Sequence, residues 1–115
     1  MENGVSDMDE QEFKTRADAA LTSLYKKLSA ASDEYEFEPD FNAGALAIEF
    51  DEPKAKFVVS PNTPVRQIWV SAHSKSFKLD WDAVKHAFVL PETKQTLDDL
   101  IRAAIEQHIG EEISL

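Results

Sequence analysis

Two amphipathic helix patterns stand at the ends of this chain, and the stretch between them alternates apolar and polar residues. That arrangement constrains the fold more than any other feature. Near the start, Phe13, Ala17, Ala20, Leu21, Leu24 and Leu28 recur at helical spacing and make one apolar stripe. The pattern predicts a helix beginning near Asp7 or Asp9. Asp9, Glu10 and Glu12 would lie in its first turn and Lys26 and Lys27 in its last, which suits the helix dipole. Near the end, Leu97, Leu100, Ile101, Ala104, Ile105, His108 and Ile109 form a second stripe. Thr96 precedes Asp99 in an N-cap arrangement, and Gly110 can close the helix.

The middle reads as strands. Tyr35, Phe37 and Phe41 alternate with Glu36, Glu38 and Asp40, and Pro39 marks that strand as an edge or a bulge. Asn42-Ala43-Gly44 turns the chain into 45–50, where Leu46, Ile48 and Phe50 share a face. Asp51-Glu52-Pro53 leads into 55–60, with Phe57 and Val59 pointing one way. Pro61-Asn62-Thr63-Pro64 breaks the chain before a strand at 66–71. His73 and Ser74 turn it into 76–82, and 86–90 is a last, short strand.

Short links between successive strands imply an antiparallel meander. Each terminal helix has one apolar face, so both should cover the same side of one sheet. The expected fold is α+β: a two-layer sandwich with two helices on one face of a single antiparallel sheet. Residues 1–8 read as a flexible N-terminal tail and 9–115 as a single domain.

Charge narrows the partners. Twelve Lys and Arg stand against 22 Asp and Glu, a formal net charge of -10. Such a surface repels phosphate backbones and favours metal ions or a basic protein surface, so no nucleic-acid partner is expected. No cysteine is present, which excludes disulfides, thiolate zinc sites and cysteine nucleophiles. The acidic start has no apolar run behind it, and no stretch approaches the ~20 apolar residues of a membrane span. A cytoplasmic protein with no membrane partner is expected.

The strand Arg66-Gln67-Ile68-Trp69-Val70-Ser71 carries the most information. With Ile68 and Val70 facing the core, Gln67, Trp69 and Ser71 fall on the wet face. An exposed tryptophan beside an amide and a hydroxyl suits a docking hot spot. The alternative is a half-covered Trp69 that only stabilises the sheet.

Thr63-Pro64-Val65-Arg66-Gln67-Ile68-Trp69-Val70-Ser71, followed by Leu79-Asp80-Trp81, resembles the frataxin family, including its bacterial CyaY branch. The Asn-Ala-Gly-Ala-Leu-Ala-Ile turn and strand and the Thr-Leu-Asp-Asp-Leu-Ile helix start agree with it. The resemblance covers 12–109. It implies an accessory and regulator of iron–sulfur cluster assembly that binds iron (Fe2+ or Fe3+) weakly through surface carboxylates. The implied partners are a cysteine desulfurase and an iron–sulfur scaffold protein, met by a monomer that is not itself an enzyme.

Carried onto this chain, the implied metal ligands are Asp33, Glu34, Glu36, Glu38 and Asp40, and the implied partner-binding residues are Asn62, Gln67, Ile68, Trp69 and Lys78. Carboxylates are hard oxygen ligands suited to iron, and an exposed ridge of them should bind it weakly. Many relatives add acids in the last turn of the first helix, where this chain has Leu24-Tyr25-Lys26-Lys27-Leu28. The ridge is therefore shortened and flanked by two lysines that would repel iron. Mitochondrial relatives have Asn where this chain has Ser60, Gln where it has Asn62, and Arg where it has Lys78.

Other readings compete with this one. An enzyme such as a ferroxidase or small hydrolase would need paired carboxylates in a cleft, and the chain offers only a strip of acids. An acidic protein-interaction domain that has lost most iron binding is the closer alternative. His73, His86 and His108 match no metal motif; His108 falls on the apolar stripe, and His73 or His86 would at most be adventitious iron ligands.

Overall fold

The computed structural model describes residues 8–42, 44–51, 54–113 and 115. Helix α1 spans Glu10–Ala31. Asp9 is its N-cap, and Oδ1 accepts a hydrogen bond of 2.7 Å from the Glu12 N–H. The helix buries Phe13, Ala17, Leu21, Leu24, Leu28 and Ala31, the expected stripe with Ala20 half-buried at its margin. It runs one turn further than expected. Ser29-Ala30-Ala31 stays helical because alanine favours it and Ala31 joins the core, so Lys26 and Lys27 do not occupy the last turn.

The strands are β1 (Glu38–Asn42), β2 (Ala45–Asp51), β3 (Lys54–Asn62), β4 (Gln67–Ala72), β5 (Lys75–Asp82), β6 (Ala87–Leu90) and β7 (Gln95–Thr96). They pair antiparallel in chain order, so the sheet is a meander with β1 and β7 at its edges. Helix α2 spans Leu97–Ile109, with Thr96 Oγ1 accepting from the Asp99 N–H at 3.2 Å and Gly110 closing it at φ 77°.

Local differences from the sequence pattern have physical causes. Tyr35 and Glu36 form a bend, and Phe37 leads into β1 without belonging to it, because the N–H groups of Glu34 and Tyr35 bond back to the Ala31 carbonyl. Phe37 is still buried, with its ring 5.9 Å from Phe50. Strand β3 continues through Pro61 and Asn62, and the break is a single 3-10 turn at Thr63–Val65. Arg66 then takes a left-handed conformation (φ 56°), so β4 starts at Gln67. Strand β7 goes unseen in the sequence because two residues carry no periodicity; only pairing with β6 defines it.

Met8, placed by the sequence in a flexible tail, is buried, and its carbonyl accepts from Arg66 Nε. The expected tail at 1–7, together with Ala43, Glu52 and Pro53 of the two expected turns, lies outside the described residues.

One face of the sheet packs on both helices. Ile48, Phe57, Ile68 and Leu79 meet Leu21, Leu24, Ile101 and Ile105 in a single core, and no described polar or charged residue is buried. Each such side chain contributes roughly 1.5–3 kcal/mol by leaving water. Among the described residues the opposite face carries no helix, and it bears the residues of interest.

Candidate functional site

The end of α1 and the turn after it project Asp33, Glu34 and Glu36 into water, while Phe37 anchors the segment in the core. Across from them, β2 alternates: Leu46, Ile48 and Phe50 point inward, leaving Glu49 and Asp51 on the helix-free face. These elements enclose an open groove of about 790 Å³, to which the described residues bring six carboxylates, those of Asp33, Glu34, Glu36, Glu38, Glu49 and Asp51. Ser32, Tyr35 and Phe37 complete its wall. Asp40 lies outside it, in an adjoining hollow that Glu38 and Glu49 also line.

Glu49 and Asp51 escape the sequence reading because they are distant from the 33–40 strip along the chain. Register joins them to it, since Glu38 stands opposite Glu49. The β2–β3 pairing then sets Lys56 opposite Glu49 and Lys54 opposite Asp51. The cations beside the acids thus come from β3. Lys27, expected to flank the ridge, instead forms an ion pair with Asp98 of α2. Among the described residues, the other ion pairs join Lys14 to Glu10, Arg16 to Glu12 and Arg102 to Asp99, away from the groove carboxylates.

The donor chemistry suits a hard cation such as iron. The geometry is not that of a formed site, because among the described residues no three His, Asp or Glu side chains gather to hold an ion. The groove offers a diffuse negative field and no coordination cage.

The histidines lie elsewhere. His108 packs with its ring 4.3 Å from Phe50, and His73 stands 6.2 Å from His108 with Nε2 3.0 Å from the Ala104 carbonyl. His86 meets the edge of Trp81 at 5.5 Å.

The second feature is a grid on the same helix-free face. In register, Ser60, Trp69 and Lys78 form one row across β3, β4 and β5, and Asn62, Gln67 and Asp80 form the next. Trp69 is 38% exposed. Its Nε1–H donates to Gln67 Oε1 at 3.0 Å, and Gln67 Nε2 donates to Asp80 Oδ1 at 3.0 Å. The Lys78 ammonium lies 4.9 Å from the Trp69 ring centroid, a cation–π contact. A shallow hollow of about 390 Å³ opens beside it, lined by Ser60, Ser71, Ser76, Phe77 and Lys78 among others.

Of the residues predicted to bind a partner, Asn62, Gln67, Trp69 and Lys78 therefore come together. Ile68 does not: its side chain is 0% exposed and faces the helices, so a partner cannot touch it. Asp80 joins the same cluster, since its spacing of two from Lys78 places both on one face of β5. Between grid and groove, Asp40, Ala47, Val58 and Ser71 form a continuous row, so one surface carries both features.

Two helices on one face of a single antiparallel sheet, with a carboxylate groove and an exposed tryptophan on the other, place the chain in the two-layer α+β class. The chain belongs to the frataxin-like domain family, which its residues 6–111 match. It is 28% identical to the mitochondrial frataxin of Arabidopsis thaliana over 112 residues, covering 94% of this chain and 59% of that protein. It is 26% identical to the iron–sulfur cluster assembly protein CyaY of Pseudomonas entomophila over 106 residues, covering 92% and 94%. A solved structure of frataxin from Psychromonas ingrahamii superposes with a TM-score of 0.75 at 22% identity, covering 93% and 97%, a likeness of fold. Among the described residues no helix is long and apolar enough to cross a membrane.

Proposed function

We propose that this chain is a non-enzymatic accessory and regulator of iron–sulfur cluster assembly that docks, as a monomer in the cytoplasm, on a cysteine desulfurase and its scaffold protein. Kinship with proteins named for iron–sulfur cluster assembly supports the pathway. The observation that carries the docking reading is the six-carboxylate groove sharing one helix-free face with Trp69. The groove attracts a basic patch and raises the encounter rate. The ring of Trp69 supplies apolar contact at the centre of a polar surround, the composition of a hot spot. Iron is handled as cargo, held loosely by the carboxylates of Asp33, Glu34, Glu36, Glu38 and Asp40, with Glu49 and Asp51 added from β2.

The test is titration calorimetry against the purified desulfurase of the same host at low and at high salt. Binding that weakens steeply with salt and is lost on Glu36→Lys with Glu38→Lys supports the reading. An affinity indifferent to both overturns it.

A second reading has an observation in its favour. Because no three described ligands converge, the chain fits an acidic protein-interaction domain that has lost most iron binding. Desulfurase binding with no ferrous-iron response would select it.

A further inference from the structure

The outer face contains a polar chain whose direction is set at one end. Gln67 and Asp80 are directly opposed on β4 and β5, as are Trp69 and Lys78. Gln67 and Trp69 are two apart on one strand, so both point to the same face. The bonds run from the Trp69 indole N–H to the Gln67 amide oxygen, and from the Gln67 amide nitrogen to the Asp80 carboxylate.

The order of these groups is not interchangeable. An ionised carboxylate only accepts, so the amide must turn its NH2 toward Asp80. That leaves the amide oxygen facing Trp69, whose indole N–H only donates. Reversing the charge at the far end would reverse the amide and set two donors against each other. Hence we propose that Asp80 is a positioning residue for the docking face, holding Trp69 through the amide of Gln67; the proposal rests on the docking reading above.

Two consequences follow for recognition. The single polar atom of the indole is satisfied inside the sheet, so a partner meets the ring as apolar surface and need supply no acceptor. The ammonium of Lys78 lies over the same ring and leaves a positive group beside it. The surface that fits is therefore an apolar or proline side chain with a carbonyl or carboxylate next to it. An indole already held in one rotamer is also spared the ordering that an exposed side chain undergoes on binding.

The experiment compares Asp80→Asn, Asp80→Leu and Asp80→Lys in 15N-labelled protein, reading the Trp69 Nε1–H resonance, identified by its loss in Trp69→Phe. Asp80→Asn keeps an acceptor and should leave its position and slow solvent exchange unchanged, which also controls for folding. Asp80→Leu should shift the resonance and speed its exchange, and Asp80→Lys should do so more strongly. An indole signal unchanged in both Asp80→Leu and Asp80→Lys overturns the proposal whatever the partner does. In the same series, desulfurase affinity should fall several-fold to about tenfold for Leu and Lys but not for Asn, the range for ordering one side chain. A released indole with unaltered affinity overturns the positioning role in docking. If the unaltered protein binds no desulfurase, the docking reading itself fails, while the indole response still decides whether Asp80 pins Trp69.

Discussion

Glu38 and Glu49 stand directly opposite each other across the β1–β2 ladder, two like charges at the sheet's outermost pair. Such pairs oppose folding, and nothing in the core requires this one, since both side chains are exposed. Under the function proposed above, an incoming cation would relieve the repulsion between them.

Glu38→Lys should therefore stabilise the protein, by about 0.2–1 kcal/mol, because the opposed repulsion becomes an attraction. A urea midpoint that rises while desulfurase affinity falls is the expected result. A lowered midpoint would show that the opposition is not costly.

Anaerobic ferrous iron, if the carboxylates hold it, should perturb amides of β2 as well as those of 33–40, since Glu49 and Asp51 line the same groove. Glu49→Gln with Asp51→Asn should weaken the NMR response about as much as neutralising Glu36 and Glu38. Shifts confined to 33–40 would show that the β2 carboxylates take no part.

Trp69→Ala should weaken partner binding by at least 1 kcal/mol or so, as hot-spot truncations do, and leave the salt dependence unchanged. The groove variants should alter the salt dependence most. Affinities measured at several salt concentrations separate the two contributions, and a changed slope for Trp69→Ala would merge them.

Ile68→Ala should destabilise the fold by about 2–5 kcal/mol, because the fully buried side chain leaves a cavity between β4 and the helices. Under conditions where the variant is folded, its partner affinity should match that of the unaltered chain. A selective loss of affinity would contradict the burial.

Ser74→Gly should raise stability by up to about 1 kcal/mol. His73 and Ser74 form the two-residue turn between Ala72 and Lys75 with φ of 54° and 62°, the left-handed pair that usually calls for Asn-Gly. Thermal unfolding checks it, and a fall in the midpoint would mean that the Ser74 side chain matters to the turn.

The legible part of the molecule is what one strand or helix determines alone. Period two along β4 was enough to send Ile68 and Val70 inward and leave Trp69 outside. The helical stripe marked the buried side of α2, and Thr96 and Gly110 marked its ends. The resemblance then drew Ile68 into the docking set against its own periodicity, and burial decides in favour of the periodicity.

What the sequence by itself determined is the direction in which each side chain points, because alternation and helical spacing are properties of a single segment. The register between segments was decided only in the folded sheet, where hydrogen bonding and a shared core select one pairing among several. That choice put Glu49 against Glu38, Asp80 against Gln67 and Lys78 against Trp69. The packing of α1 beside α2 likewise brought Lys27 to Asp98. Neighbours across strands are chosen by packing of the whole, so no local pattern announces them.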